Sequence, residues 1–311
     1  MPVTQRLRFG LLGTGYWAAQ THAAALSAAP EADLVGVWGR DHAKAAVVAA
    51  ANGITAYDDL DALLNDVDAV SIAVPPDVQV PLAIRAARAG CHLLLEKPIA
   101  LSTADADELL TAVTESGVAS VVFFTMRFVP EVDQMLRDAV LTGGWHGARG
   151  TMLFSIFGSE SPYASSTWRR DWGGLWDLGP HVVSLLHPVL GPVAEVTAVQ
   201  GRYQTAHVLL QHEGGAVSTL ALSVDTPQAA SALDIAFLGV RGAVEVPIVF
   251  AEPVAALARA AGELVRAAAE PSPGHACDIR FGWEVNTVLA AAAESIVAGR
   301  TVPVRRLQQA V

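Results

Sequence analysis

Residues 7–18 read Leu-Arg-Phe-Gly-Leu-Leu-Gly-Thr-Gly-Tyr-Trp-Ala. An apolar run, Leu7–Leu12, passes into Gly13-Thr14-Gly15 and then into an alanine-rich stretch with helical spacing. Strand, glycine turn and helix in that order open a strand–helix–strand unit. The first glycine permits a tight turn, the second lets a pyrophosphate approach the backbone, and small Ala18 lets helix and strand pack closely. The helix start then offers unpaired N–H groups to an anion. Arg6, Arg8 and the apolar run to Ala19 also imitate a secretory leader, with small residues at Ala23–Ala25. A leader's apolar core is continuous, and Gly13-Thr14-Gly15 interrupts this one, so strand and turn are preferred.

The pattern repeats through the first 125 residues. Strands are predicted at Leu7–Leu12, Leu34–Val37, Ala69–Val74, His92–Leu95 and Ala119–Phe124. Helices are predicted at Tyr16–Ala28, Ala43–Asn52, Leu60–Leu64, Val78–Ala89 and Thr103–Ser116. The strand runs are apolar throughout, as a parallel sheet covered on both faces requires. Gly53, Gly90 and Gly117 stand where left-handed helix caps belong, and Ser102 where an N-cap does. This is the pattern of a doubly wound domain over residues 1–125. In residues 126–311 longer strand candidates follow a short helix: Thr151–Phe157, Val193–Gln200, His207–His212, Ala216–Val224, Leu233–Leu238 and Ala243–Val246. Glu213-Gly214-Gly215 and Val240-Arg241-Gly242 read as hairpin turns. An α+β domain with a large, mainly antiparallel open sheet is expected there. An amphipathic helix is expected at Val254–Ala269, and a closing helix at Ile279–Ala298, capped by Gly299.

Composition narrows the function classes. Of 311 residues 52% are hydrophobic and 16% charged, which excludes a disordered chain. A net charge of −11 argues against a nucleic-acid partner. No stretch reaches the apolar length of a membrane span, so a cytoplasmic protein with no membrane partner is expected. Cys91 and Cys277 match no metal or redox spacing and read as buried thiols. Only Lys44 and Lys97 are lysines; every other one of the 20 Lys and Arg residues is arginine. Lysine can give up a proton where arginine cannot, which marks Lys97 for proton chemistry.

The end of the second strand sets cofactor choice in such domains: an acid there holds ribose hydroxyls, and an arginine a 2′-phosphate. Here Gly39 takes the acid's place and Arg40 follows. A phosphate would fit the glycine's space and pair with Arg40, so NADP is favoured. Asp41, one residue on, leaves NAD open.

Two further clusters carry chemistry. Glu96-Lys97-Pro98 follows the strand His92–Leu95, where ligands sit in open α/β sheets. The run Trp168-Arg169-Arg170-Asp171-Trp172-Gly173-Gly174-Leu175-Trp176-Asp177-Leu178-Gly179-Pro180-His181 places Asp177 and His181 four apart, on one helix face. Pro180 is tolerated near a helix start, which puts both in about the first turn. Taken alone, the pair reads as a capping aspartate and a core histidine.

With the glycine turn Gly13–Ala18, Glu96-Lys97-Pro98 and Gly173-Gly174-x-x-Asp177-x-Gly179-x-His181 in this order, the chain resembles the glucose–fructose oxidoreductase and inositol dehydrogenase (Gfo/Idh/MocA) family. Ala73-Val74-Pro75-Pro76-Asp77 and Arg127-Phe128-x-Pro130 resemble its further segments. The resemblance implies a Rossmann domain, a second domain whose open sheet serves in oligomer contacts, and NAD(P)-dependent redox chemistry on sugars, cyclitols or related hydroxy compounds. By motif position Lys97, Asp177 and His181 match the family's catalytic residues. Ser184 stands where the family often has aspartate, and Leu175 and Trp176 where it has small residues. These departures leave the substrate open.

The reaction expected is hydride transfer between the nicotinamide and a carbinol or keto carbon. His181 is the first choice for acid and base, with Lys97 on the reacting oxygen and Asp177 orienting the substrate. The cofactor set is Gly13, Thr14, Gly15, Tyr16, Trp17, Arg40, Pro75, Glu96, Lys97 and Arg127. Trp168, Arg169 and Trp172 are weaker candidates for a substrate wall. A homodimer or homotetramer and a carbohydrate-like small molecule are the expected partners, and no metal is expected. The alternative is a non-catalytic NAD(P)-sensing protein on the same scaffold. A metal hydrolase has poor support, because His181 and His187, or His207 and His212, lack the H-E-x-x-H spacing.

Overall fold

The computed structural model describes residues 6–247, 252–270 and 274–307. Their packing defines two compact units, Met1–Phe128 with Phe250–Trp283 and Val129–Val249 with Glu284–Val311.

In the first unit, strands β1 (Leu7–Leu12), β2 (Ala32–Trp38), β3 (Thr55–Tyr57), β4 (Ala69–Ile72), β5 (His92–Leu95) and β6 (Ser120–Val122) form a parallel sheet. Its order is β3-β2-β1-β4-β5-β6, reversing direction of growth at β1. Ligands of doubly wound folds bind at that reversal, outside the carboxyl ends of the strands. β3 is an addition to the sequence reading; three residues are too few to show a period. β4 ends at Ile72 and β6 at Val122, each two residues short of its predicted end.

The first crossover runs as a π-helix over Ala18–Ala23 and as helix α1 over Ala24–Ala28. The other crossovers are α2 (His42–Asn52), α3 (Leu60–Asp66), α4 (Pro76–Arg88) and α5 (Thr103–Ser116). Asp41, Asp59 and Ser102 cap α2, α3 and α5 through their side chains, and Gly53 and Gly117 end α2 and α5 at φ 67° and 66°.

In the second unit, α6 (Pro130–Thr142) leads to β7 (Trp145–Leu153) and to α7 (Thr167–Leu190). Strands β8 (Val193–Gln200), β9 (Ala206–His212), β10 (Val217–Ser223), β11 (Ala232–Gly239) and β12 (Gly242–Glu245) follow. With β13 (Val302–Pro303) they make a seven-stranded sheet of order β12-β11-β7-β10-β9-β8-β13. Every pairing is antiparallel except β7 with β10. β7 begins six residues before its predicted start. A Cβ on Gly147 would lie 2.3 Å from the Val217 carbonyl oxygen, so this residue serves close strand approach.

Helix α8 (Pro253–Ala269) packs Ala256, Leu257, Ala260, Ala261 and Leu264 inward, against β5, β6 and α1. The sequence division at 125/126 follows the change of texture along the chain. The packing instead returns α8 to the first unit and divides α9 (Ile279–Ala298) between Trp283 and Glu284. Among the described residues, no helix is long and apolar enough to cross a membrane.

Candidate active site

The glycine turn follows β1 directly. Gly13 has φ 133°, a Cβ there would lie 2.4 Å from the Ala73 carbonyl oxygen, and its N–H donates to the Trp38 carbonyl at 2.9 Å. Only glycine fits this junction of three strand ends. Gly15 differs: nothing stands within 4 Å of an added Cβ, so its backbone is open to an incoming group. Ala18 is fully buried.

A cavity of about 470 Å³ lies over this turn. Gly13, Thr14, Gly15, Arg40 and Pro75 all line it, which brings together five of the residues expected to hold the cofactor. Lys44, in the first turn of α2, lines it too. The bare backbone at Gly15, the helix start and the two cations suit a dinucleotide's phosphates.

Gly39 corrects one expectation. The space beside it is filled, because a Cβ there would lie 2.6 Å from the Thr14 methyl. Glycine is needed for the turn to pack on β2, and no room for a phosphate is left at that Cα. Asp41 caps α2, accepting the Lys44 backbone N–H at 3.2 Å, with its other oxygen 3.6 Å from Lys44 Nζ.

Glu96 is not among the residues that line that cavity. Its Oε1 accepts from Trp17 Nε1 at 2.7 Å and lies 3.1 Å from His22 Nε2. Its Oε2 accepts the Lys97 N–H at 3.2 Å. Trp17 and Glu96, both expected to touch cofactor, thus bind each other. Gln79 of α4 holds the same loop by its backbone: its Oε1 accepts the Glu96 N–H at 2.8 Å, and its Nε2 donates to the carbonyls of Glu96 and Pro98 at 2.8 and 3.1 Å. The Lys97–Pro98 peptide is cis, and Lys97 is half-buried. Tyr16 is exposed at the helix start. Arg127 lies in the turn Thr125–Phe128, its guanidinium 5.5 Å from the Phe281 ring centroid. His22, Ser71, Gln79 and Lys44 were not singled out for this site from sequence. The partners of His22, Ser71 and Gln79 are far along the chain, and no spacing announces them; Lys44 is placed by the cap of α2.

In the second unit α7 is interrupted at Gly173, with φ 65° and ψ −165°. The helix restarts at Gly174, which places Asp177 in its first turn and His181 one turn on. Pro180 is therefore inside the helix rather than at its start, and the Trp176 carbonyl goes without the N–H that any other residue would supply. Gly174 and Gly179 are packing residues: a Cβ would lie 2.6 Å from Ser223 Cα and 2.6 Å from Leu289 Cδ2, respectively.

Asp177 and His181 are buried, at 6% and 7% exposure. Asp177 Oδ2 pairs with Arg169 Nε at 3.0 Å. The Arg169 guanidinium lies 4.4 Å from the Tyr163 ring centroid and 4.5 Å from that of Trp168. Arg169 thus joins Asp177 to the Tyr163 and Trp168 rings, while Trp172 is 42% exposed. Trp176 is buried edge-on to Trp172, centroids 5.7 Å apart. Ser184 donates to the His181 carbonyl at 2.9 Å. Among the described residues, no group of three or more His, Cys, Asp or Glu side chains is placed to hold a metal ion.

The sequence model of an oxidoreductase family with an NAD-binding Rossmann fold, GFO/IDH/MocA, matches residues 7–124, and that of the GFO/IDH/MocA C-terminal domain matches residues 149–245. The chain belongs to this family. A dTDP-3,4-didehydro-2,6-dideoxy-alpha-D-glucose 3-reductase of Streptomyces antibioticus is 30% identical over 234 residues, covering 71% of this chain and 70% of that relative. A D-xylose 1-dehydrogenase (NADP(+)) of Haloferax volcanii is 30% identical over 235 residues, covering 71% of each. The crystal structure of GenD2 from gentamicin A biosynthesis, in complex with NAD, superposes with a TM-score of 0.83 over 98% of both chains at 24% identity. As a GFO/IDH/MocA protein the chain is an oxidoreductase with an NAD-binding Rossmann fold.

Proposed function

We propose that this oxidoreductase uses NADP(H) to interconvert a hydroxyl and a carbonyl on a sugar, cyclitol or related compound. One observation carries the cofactor choice: Arg40 and Lys44 both line the cavity beside the glycine turn, and Asp41, the acid that lines it with them, already accepts the Lys44 N–H as the cap of α2. The two cations would hold a 2′-phosphate. Support for the substrate class comes from the named relatives, a sugar reductase and a sugar dehydrogenase.

The bound nicotinamide supplies or accepts the hydride. The protein's own groups bind, orient and move the proton. The helix start at Gly15 binds the phosphates. Lys97 donates to the reacting oxygen, His181 takes or returns the hydroxyl proton, and Asp177 orients the substrate. Arg169 keeps Asp177 in place. The exposed indole of Trp172 offers an apolar face to a sugar ring. The outer face of the seven-stranded sheet exposes Val199, Leu209 and Val217. Cross-strand pairing puts Leu209 with Thr197 and Thr219, and Val217 with Gln211, on one face. A second copy of the chain is proposed to cover it, which light scattering tests.

Fluorescence titration with NADPH and NADH tests the cofactor, and a panel of sugars, cyclitols and keto-sugars followed by nicotinamide absorbance tests the reaction. Tight NADH binding without NADPH binding overturns the assignment of Arg40 and Lys44. Cofactor binding with no turnover across the panel would favour a sensing protein.

A further inference from the structure

Glu96 Oε1 is a junction between two parts of the first unit. It receives the Trp17 indole N–H at 2.7 Å, and His22 Nε2 lies 3.1 Å away. Trp17 and His22 belong to the helix whose first turn faces the cofactor cavity; Glu96 belongs to the loop that carries Lys97. In an α-helix, residues five apart point about 140° away from each other. The π-helix Ala18–Ala23, with its i→i+5 bonds, brings such residues toward one side. That widened turn is what lets Trp17 and His22 reach the same oxygen.

His22 is fully buried, and its Nδ1 lies 2.7 Å from Ser71 Oγ. The Glu96 carboxylate can only accept, so it takes the His22 Nε2–H, and the Ser71 hydroxyl, which can donate or accept, holds Nδ1 and so fixes the ring from its other side. The other Glu96 oxygen accepts the Lys97 N–H at 3.2 Å, which passes the constraint to the next residue. Gln79 grips the loop's backbone from the opposite element.

We propose that His22 is a positioning residue: with Ser71 behind it, it fixes Glu96 and thereby registers the Lys97 loop against the dinucleotide helix. The inference extends the role given to Lys97 above, but its test needs no substrate. Because Lys44 and Lys97 are the chain's two lysines, one amine-reactive pulse with acetic anhydride reads both, and Lys44 is an internal reference. The ratio of Lys97 to Lys44 acetylation, measured by mass spectrometry on the full chain, should rise about threefold or more in His22→Leu, the population shift expected from losing a net hydrogen bond. Ser71→Ala should move it the same way by less, and His22→Gln, whose amide can still donate to Glu96, should return it toward the wild-type value. An unchanged ratio in folded His22→Leu overturns the proposal, even with a lowered melting temperature. Should His22→Leu fail to fold, an unchanged ratio in Ser71→Ala overturns it instead. A Lys97→Ala protein with wild-type turnover would remove the catalytic role of Lys97 and leave the labelling result standing, so the two failures are distinguishable.

Discussion

Asp177 and Arg169 form an ion pair, Oδ2 to Nε at 3.0 Å, with side-chain exposures of 9% and 19%. The pair spans the break at Gly173, tying the stretch before it to the helix that carries His181. A buried carboxylate needs such a partner, because removing one member leaves an uncompensated charge.

Arg169→Met should therefore destabilise the protein by on the order of 3 kcal/mol, as for other buried pairs cut on one side. Chemical denaturation measures it. Turnover should fall as well, since Asp177 loses its anchor. Adding Asp177→Leu should recover part of the stability and none of the turnover.

The glycine turn separates two kinds of requirement. Gly13→Ala places a side chain at φ 133° against the Ala73 carbonyl, at a cost of about 1–3 kcal/mol in backbone strain, with overpacking added. Gly15→Ala meets nothing within 4 Å and should melt like the parent. Both should lose dinucleotide affinity in fluorescence titration. A Gly15→Ala protein that binds as the parent does would show that the phosphates do not approach there.

Arg40→Ala should weaken NADPH binding by about tenfold or more and NADH binding much less, the loss expected for a hydrogen bond to a charged group. Lys44→Ala should act in the same direction with a smaller effect, because Lys44 is also drawn toward Asp41. Equal losses for both cofactors would assign Arg40 to the pyrophosphate or adenine.

Glu263 predicts an acid limb of stability. Burial pushes its carboxyl up, but the hydrogen bonds from His275 at 2.7 Å and Arg259 at 2.9 Å outweigh that, and the group sits below the ordinary carboxylate range. A depressed folded value gives stabilisation that is present above the unfolded pKa and lost as pH falls through the folded one. Glu263→Gln should lower stability at neutral pH and flatten its decline on acidification. Melting temperature against pH measures both.

Much of the first unit is legible in the sequence. Apolar runs with glycine or acid punctuation located β1, β5 and α5 to the residue, because each signal is local: a turn needs its glycine, and a cap needs its side chain. The motifs at Gly13–Gly15, Glu96–Pro98 and Asp177–His181 were visible for the same reason. Gly39 was misread as vacant because what fills its space, the Thr14 methyl, comes from another strand's end. Pro180 was placed too near a helix start because the break that restarts α7 depends on Gly173 adopting a left-handed φ.

The chain order of residues determined which elements form and where reactive groups stand along them. Tertiary structure decided which groups hold one another. It gave Trp17, His22 and Glu96 a common hydrogen-bonded oxygen, paired Arg169 with Asp177, and returned α8 to the first unit. Side-chain hydrogen bonds and ion pairs act over about 3 Å in space without regard to sequence separation. His22 and Glu96 lie 74 positions apart, and only the packed sheet between them brings imidazole to carboxylate.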